Sequence, residues 1–155
     1  MPHEDRRQIL WADDEIDLLR PHIKFLEQKG FAVTPVPNGE DALAVLARGH
    51  FDVVLLDENM PGLGGLATLD AIKTRDAAVP VILVTKNQEE ALMEEAIGRH
   101  ISDYLIKPIN ASQVLLALKR VLEGNRIQET ARTRDYVNEM QRWQSLDRRR
   151  FGWTE

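Results

Sequence analysis

Residues 51–62 have the sequence FDVVLLDENMPG, in which an almost wholly apolar run leads directly into Asp57. A strand that is apolar throughout must be covered on both faces, so residues 51–56 are predicted to form a central strand of a parallel sheet. Four further short apolar runs recur along the chain, at 9–12, 31–36, 79–84 and 101–106.

Longer stretches with helical spacing of apolar residues separate these runs, which gives five β–α units. Parallel strands need crossover connections, so this alternation predicts a doubly wound parallel sheet with helices on both faces. The first helix should begin near Asp17, because Pro21 is tolerated only in a first turn. Glycines are predicted to end four of the helices, at positions 30, 49, 98 and 124.

The position of each strand in the sheet can be partly predicted. Pro35 lies within the second run and cannot donate a ladder hydrogen bond, so that strand is expected at an edge. A central third strand and an edge second strand fit the flavodoxin-like (βα)5 order 2-1-3-4-5. This order places a ligand crevice at the carboxyl ends of strands one and three.

The pattern changes after Gly124. Residues 126–147 contain neither Gly nor Pro and place apolar residues at loosely helical spacing, which predicts an added C-terminal helix. We therefore expect a domain over 1–124 and a helical extension, either a linker or the start of a helical bundle, over 125–155. Because the sequence stops within RRRFGWTE, we expect it to be a piece of a longer protein.

Composition excludes several classes of function. The 155 residues include no cysteine, so disulfides, thiolate metal sites and cysteine nucleophiles are excluded. Residues 1–124 hold 13 Lys and Arg against 20 Asp and Glu, a net charge of −7, and such an acidic surface is not expected to bind nucleic acid. No apolar run approaches the roughly 18 residues of a membrane span, so we expect a cytoplasmic protein without membrane insertion.

Three carboxylates follow the strands that border the predicted crevice. Asp13 and Asp14 follow the first strand and Asp57 follows the third. Carboxylates about 4 Å apart repel one another, so the cluster must take up protons or bind a cation. Oxygen ligands without thiols favour Mg²⁺. The alternative is that these acids only cap helices.

Two more polar side chains end strands at the same edge of the sheet. Thr85 closes the fourth strand with a hydroxyl, and Lys107 closes the fifth with an ammonium group. Carboxylate, metal, donor and counter-charge together suit phosphoryl chemistry, with Asp57 as the nucleophile. A lone Thr or Lys at a strand end is usually structural, so the prediction depends on the coincidence of all four strand ends.

The strings ILWADDE at 9–15, LLDENMPG at 55–62, VT at 84–85 and DYLIKP at 103–108 resemble, in order and spacing, the receiver domain of bacterial response regulators. The resemblance covers residues 7–124. More narrowly, DENMPGL at 57–63, TKNQEE at 85–90 and MEEAIG at 93–98 resemble PorX-type regulators of type IX secretion.

This resemblance implies a role for each site residue. Asp57 would accept a phosphoryl group, and Mg²⁺ would be bound by Asp14, Asp57, the main-chain carbonyl of Asn59 and, through a water, Asp13. Thr85 and Lys107 would sense the phosphoryl group, Tyr104 would rotate inward, and the Lys107–Pro108 bond would be cis. Lys86 departs from the small residue that most receivers place there, and with Asn87 it could alter the lifetime of the phosphorylated state.

The resemblance also implies partners. A sensor histidine kinase or a small phosphodonor would supply the phosphoryl group, and a downstream effector domain or protein would receive the signal. We expect a homodimer through the fourth helix, fifth strand and fifth helix, whose exposed side includes Leu92, Met93, Leu115 and Lys119. The chain itself is expected not to be an enzyme, apart from slow loss of its own phosphoryl group.

Two alternative functions remain open from the sequence. One is a Mg²⁺-dependent phosphohydrolase that uses Asp57, although Asn59 stands where a second acid would be needed. The other is a docking module that is never phosphorylated. The histidines are expected to be surface residues rather than ligands, at positions 3, 22, 50 and 100.

Overall fold

A computed structural model describes residues 6–86 and 89–133, with the side chains of residues 90, 91 and 125–133 not described. Five parallel strands form one sheet in the order β2-β1-β3-β4-β5, so the predicted flavodoxin-like topology is confirmed. The strands are β1 (Arg7–Ala12), β2 (Phe31–Val36), β3 (Val53–Asp57), β4 (Val81–Thr85) and β5 (Asp103–Ile106).

One helix follows each strand. These are α1 (Arg20–Gln28), α2 (Gly39–Leu46), α3 (Gly65–Arg75), α4 (Glu90–Gly98) and α5 (Ala111–Thr133), with a 3₁₀ turn over Ile16–Leu19 before α1. Helix α1 begins at Arg20, three residues after the predicted start at Asp17, and Pro21 lies in its first turn, where the backbone N–H groups have no partner in the helix. Asn38 caps α2, since its side chain accepts a hydrogen bond from the Asp41 N–H at 2.7 Å.

Buried side chains cover both faces of the sheet. Leu10, Leu56 and Leu83 on one face belong to a buried cluster that includes residues of α2, α3 and α4, namely Ala42, Leu69, Ile72 and Ala96. Because successive strand residues point to opposite faces, Trp11 and Leu55 lie on the other face. Both are fully buried, as is almost every residue of the central strands, which confirms the predicted central position of the third strand, although it spans Val53–Asp57 rather than 51–56.

The strand register brings the polar strand ends together. Ala12 lies opposite Leu56, so Asp13 and Asp57 leave neighbouring strands at the same level. Asp57 lies opposite Val84, and Thr85 opposite Ile106. Thr85 and Lys107 therefore also reach this edge, as the order of the strands predicted.

Two helix ends differ from the prediction, whereas α4 ends at Gly98 as predicted. Helix α2 ends at Leu46, before Gly49. Helix α5 continues through Gly124 to Thr133. A glycine inside a helix costs only about 1 kcal/mol relative to alanine, which is not enough to end a helix that its neighbours continue.

The chain divides into two units, Met1–Val121 and Leu122–Glu155. In the second unit, the described residues 122–133 continue α5, so residues 126–133 do not begin a separate helix. The rest of the predicted C-terminal helix lies outside the described residues, and the domain assignment stays a prediction. Among residues 6–86 and 89–133, no helix combines the length and apolar character that crossing a membrane requires.

Candidate functional site

Three aspartates meet at the carboxyl edge of the sheet. Asp13, Asp14 and Asp57 each offer a carboxylate oxygen, and these oxygens lie within 4.8 Å of one another. Asp13 is fully buried and Asp57 is 3% exposed, whereas Asp14 is exposed. The predicted convergence is confirmed, and one exposed member leaves the cluster open to solvent.

Lys107 supplies the positive charge that faces this cluster. Its Nζ lies 3.0 Å from Asp13 Oδ2 and 3.5 Å from Asp57 Oδ1. Its main-chain N–H donates to the Thr85 carbonyl oxygen at 2.7 Å, and the Lys107–Pro108 peptide bond is cis, as the sequence resemblance implied. Burial acts to lower the pKa of Lys107, but the hydrogen bond and charge of Asp13, followed by those of Asp57, outweigh it and raise this pKa.

Asp57 is strongly affected by its surroundings. Burial, followed by the charge of the Asp13 carboxylate, raises the pKa of Asp57 to about 7, although the Lys107 ammonium group acts to lower it. One ammonium group cannot balance three carboxylates, so a divalent cation would relieve the remaining repulsion. Hard oxygen donors grouped beside open solvent suit Mg²⁺, which keeps several waters and uses one or two carboxylates.

Thr85 lies beside the cluster but donates to a different carboxylate. The Thr85 side chain is almost fully buried, and its Oγ1 donates to Glu58 Oε1 at 3.2 Å. Glu58 is a site residue that was not predicted. It directly follows Asp57 in the chain, but no sequence pattern predicts that its side chain turns towards β4.

The loop between β3 and α3 is held at both ends. Gly65 N–H donates to the Glu58 carbonyl at 3.0 Å, and Leu63 N–H donates to Glu40 Oε2 at 3.2 Å. Within the loop, the Asn59 N–H donates to Asp57 Oδ1 at 3.3 Å. These hydrogen bonds hold the backbone of Asn59 next to the Asp57 carboxylate.

The other predicted residues lie around this centre. The half-buried Tyr104 packs against the core cluster, and its predicted rotation stays a prediction. The exposed Lys86 lines a groove of about 500 Å³ beside the site, together with Lys107 and Leu18. Asn87 lies outside the described residues.

One histidine prediction is wrong. His22 is half-buried, and its Nε2 donates to the Ile109 carbonyl oxygen at 2.9 Å, because the fold brings α1 beside the turn after β5. Its ring also forms a T-shaped contact with the ring of Trp11. His50 and His100 are exposed as predicted, and His3 lies outside the described residues.

Comparisons with known proteins agree with this geometry. The profile of the response regulator receiver domain matches residues 9–119. The chain is 31% identical over 122 residues to the transcriptional regulatory protein ResD of Bacillus subtilis, which covers 79% of this chain and 50% of ResD. It is 32% identical over 133 residues to the sensory transduction protein RegX3 of Mycolicibacterium smegmatis, with 84% and 57% of the two chains covered.

Among solved structures, the chemotaxis protein CheY4 of Vibrio cholerae is similar with a TM-score of 0.71 and 27% identity, over 76% of this chain and 99% of CheY4. This chain spans about half the length of the curated relatives it matches. Since the matched residues include four of the strands, most of β1 and the acidic cluster at the strand ends, the chain belongs to the receiver domain family of two-component response regulators.

Proposed function

We propose that this chain is a phosphorylation switch in which Asp57 accepts the phosphoryl group. The observation that carries the proposal is the arrangement around Asp57, whose carboxylate lies between two further carboxylates and the Lys107 ammonium group. An isolated buried carboxylate would simply stay protonated. A carboxylate set between a cation-binding cluster and a fixed ammonium group can instead be ionised and then esterified.

The transfer is a displacement at phosphorus. One Asp57 oxygen attacks the phosphorus of a phosphohistidine in a sensor kinase, or of a small acyl phosphate. The new O–P bond forms as the bond to the leaving group breaks, and the leaving group keeps the electron pair. Lys107 and Thr85 would then contact the phosphoryl oxygens.

The resemblance to receiver domains suggests which residues would bind the metal, and the clustering of the three aspartates supports this assignment. Asp14, Asp57 and the Asn59 carbonyl would hold Mg²⁺ directly, and Asp13 through a water. The bound ion would supply positive charge to the phosphoryl oxygens, which otherwise meet three carboxylates. Lys86 and Asn87 would modulate how long the phosphoryl group persists.

Intact mass spectrometry tests phosphorylation directly. After incubation with acetyl phosphate and Mg²⁺, we expect the mass to rise by one phosphoryl group, and Asp57→Asn should abolish the rise. Consumption of acetyl phosphate without a mass shift would favour the phosphohydrolase alternative. Absence of both would favour the docking module and contradict the proposal.

We propose that the switch acts on the face formed by α4, β5 and α5. Inward movement of Tyr104 would reshape this face, which carries the exposed side chains of Ile97 and Leu116 and an ion pair of 2.8 Å between Asp103 and Arg120. Two copies would then pair symmetrically. In sedimentation velocity, the protein should become dimeric with beryllofluoride and Mg²⁺, and a monomer under both conditions would contradict this proposal.

For the output, we propose control of type IX secretion through an effector outside this chain. The support is the PorX-like strings at 57–63, 85–90 and 93–98. Replacing the chromosomal Asp57 codon by Asn should change the set of secreted proteins measured by mass spectrometry. An unchanged set would remove the type IX assignment and leave the phosphorylation proposal standing.

A further inference from the structure

The hydroxyl of Thr85 is engaged by a carboxylate that is not part of the acidic cluster. Thr85 Oγ1 donates to Glu58 Oε1 at 3.2 Å, and Thr85 is almost fully buried. A hydroxyl has one proton, and it can point that proton at one strong acceptor at a time. Donation to Glu58 therefore competes with donation to a phosphoryl oxygen on Asp57.

We infer that Glu58 holds Thr85 in the unphosphorylated arrangement and thereby sets the free energy that the phosphoryl group must supply to switch the protein. This inference rests on the proposed function and concerns the regulation of the same site. Glu58 acts here as a positioning residue for the hydroxyl of Thr85. On switching, the Thr85 hydroxyl stops donating to the Glu58 carboxylate and donates to a phosphoryl oxygen on Asp57.

The backbone of Glu58 cannot follow such an exchange. Its N–H donates to the Val84 carbonyl at 2.9 Å, and its carbonyl accepts from Gly65 at 3.0 Å. A side chain at Gly65 would approach the Cα of Glu58 to 2.5 Å, so α3 begins in direct contact with this residue. With the backbone fixed on both sides, the exchange must take place through the side chains of Glu58 and Thr85.

Charge favours the exchange once Asp57 is phosphorylated. Phosphorylation adds about one further negative charge to the side chain of Asp57. Asp57 directly precedes Glu58 in the chain, so this charge lies near the Glu58 carboxylate. The like charges repel, which weakens the hold of Glu58 just when a phosphoryl oxygen becomes available to Thr85. Without the phosphoryl group, the Thr85 hydroxyl donates to the Glu58 carboxylate, because a charged acceptor forms a stronger hydrogen bond than a neutral one.

A double-mutant cycle on unfolding tests the resting hydrogen bond without any phosphoryl group. The free energy of unfolding is measured for wild type, Glu58→Ala, Thr85→Ala and the double variant in EDTA. We expect the effect of Glu58→Ala to be lost in the Thr85→Ala background and retained with Thr85→Ser, which keeps the hydroxyl. Additive effects of the two alanine substitutions would overturn the inference.

Beryllofluoride with Mg²⁺ serves as the phosphoryl mimic for the second test, with binding measured by calorimetry. Loss of a charge-assisted hydrogen bond from the resting state predicts roughly tenfold tighter binding by Glu58→Ala. Glu58→Gln is the matched control, because it removes the same charge but keeps a neutral acceptor, and it should tighten binding less. The gain from Glu58→Ala should disappear in the Thr85→Ala background.

Each outcome has a defined meaning. Equal tightening by Glu58→Gln and Glu58→Ala in both backgrounds would show that charge repulsion alone acts, and would overturn the inference. A wild-type protein that binds no beryllofluoride, while the unfolding cycle still shows coupling, would instead overturn the proposed function. The two failures are therefore distinguishable.

Discussion

Substitution of Asp57 by Asn should stabilise the metal-free protein, although it removes the residue on which the proposed function depends. Asp57 is 3% exposed, and burial together with Asp13 raises its pKa to about 7 from 3.8. Asn has nearly the same shape and does not ionise. The variant therefore avoids placing a charge in a buried and already acidic pocket.

The size and the pH dependence of this stabilisation follow from the raised pKa of Asp57. In the unfolded chain Asp57 loses its proton near pH 4, whereas in the folded protein it keeps the proton until about pH 7. Between these values the folded state binds more protons, so the free energy of unfolding falls as pH rises and levels off above pH 7. A difference of about three pKa units corresponds to about 4 kcal/mol, which the Asp57→Asn variant should regain above pH 7.

Urea unfolding in EDTA, followed by circular dichroism from about pH 5 to pH 8.5, measures this effect. Wild type should lose stability across that range relative to Asp57→Asn, and Mg²⁺ should largely remove the difference. Asp17→Asn is the control, because its carboxylate is 87% exposed and its loss removes a charge without changing a buried site. Equal stability of wild type and Asp57→Asn at pH 8.5 would refute the reasoning.

Three further substitutions test the surroundings of the site by the same unfolding measurement. Gly65→Ala should cost about 2 kcal/mol or more, because the added Cβ would collide with the Asp57 carbonyl, and an unchanged midpoint would contradict this. Lys107→Met should cost about 3 kcal/mol at pH 8 in EDTA, since it leaves buried carboxylates without a counter-charge, and Mg²⁺ should restore part of the loss. His22→Leu should cost about 1 kcal/mol by leaving the Ile109 carbonyl without its donor, and His22→Gln should recover part of that cost.

Much of the fold was predictable because two local features constrain the sheet. An apolar run at 51–56 can be stable only between two layers, and Pro35 can be tolerated only at an edge. Together they allow few orders of five parallel strands, and the observed order is one of them. The acidic cluster then follows, because residues after neighbouring parallel strands must meet at one edge.

The parts that the sequence did not predict depend on contacts between distant segments. Whether Gly124 ends a helix is decided by what the following residues do, and α5 continues past it. His22 was expected at the surface, but it contacts a carbonyl 87 residues further along the chain. Glu58 reaches Thr85 across 27 residues. No local periodicity encodes such pairings, since each depends on the distance between two elements after packing.

Both residues proposed to contact the phosphoryl oxygens already interact with other carboxylates in the resting site. Lys107 lies closer to Asp13 than to Asp57, and Thr85 donates to Glu58. A phosphoryl group on Asp57 must therefore compete for an ammonium group and a hydroxyl that already have charged partners. A cation bound by the aspartates would weaken the ion pair between Asp13 and Lys107, because it offsets the negative charge of the Asp13 carboxylate. No cation site is evident for Glu58, since its carboxylate is not among the clustered acids of the described residues, so the hold on Thr85 should persist until Asp57 itself is modified. Metal binding and phosphorylation thus act on different halves of the resting arrangement, and binding of Mg²⁺ alone should leave the protein unswitched.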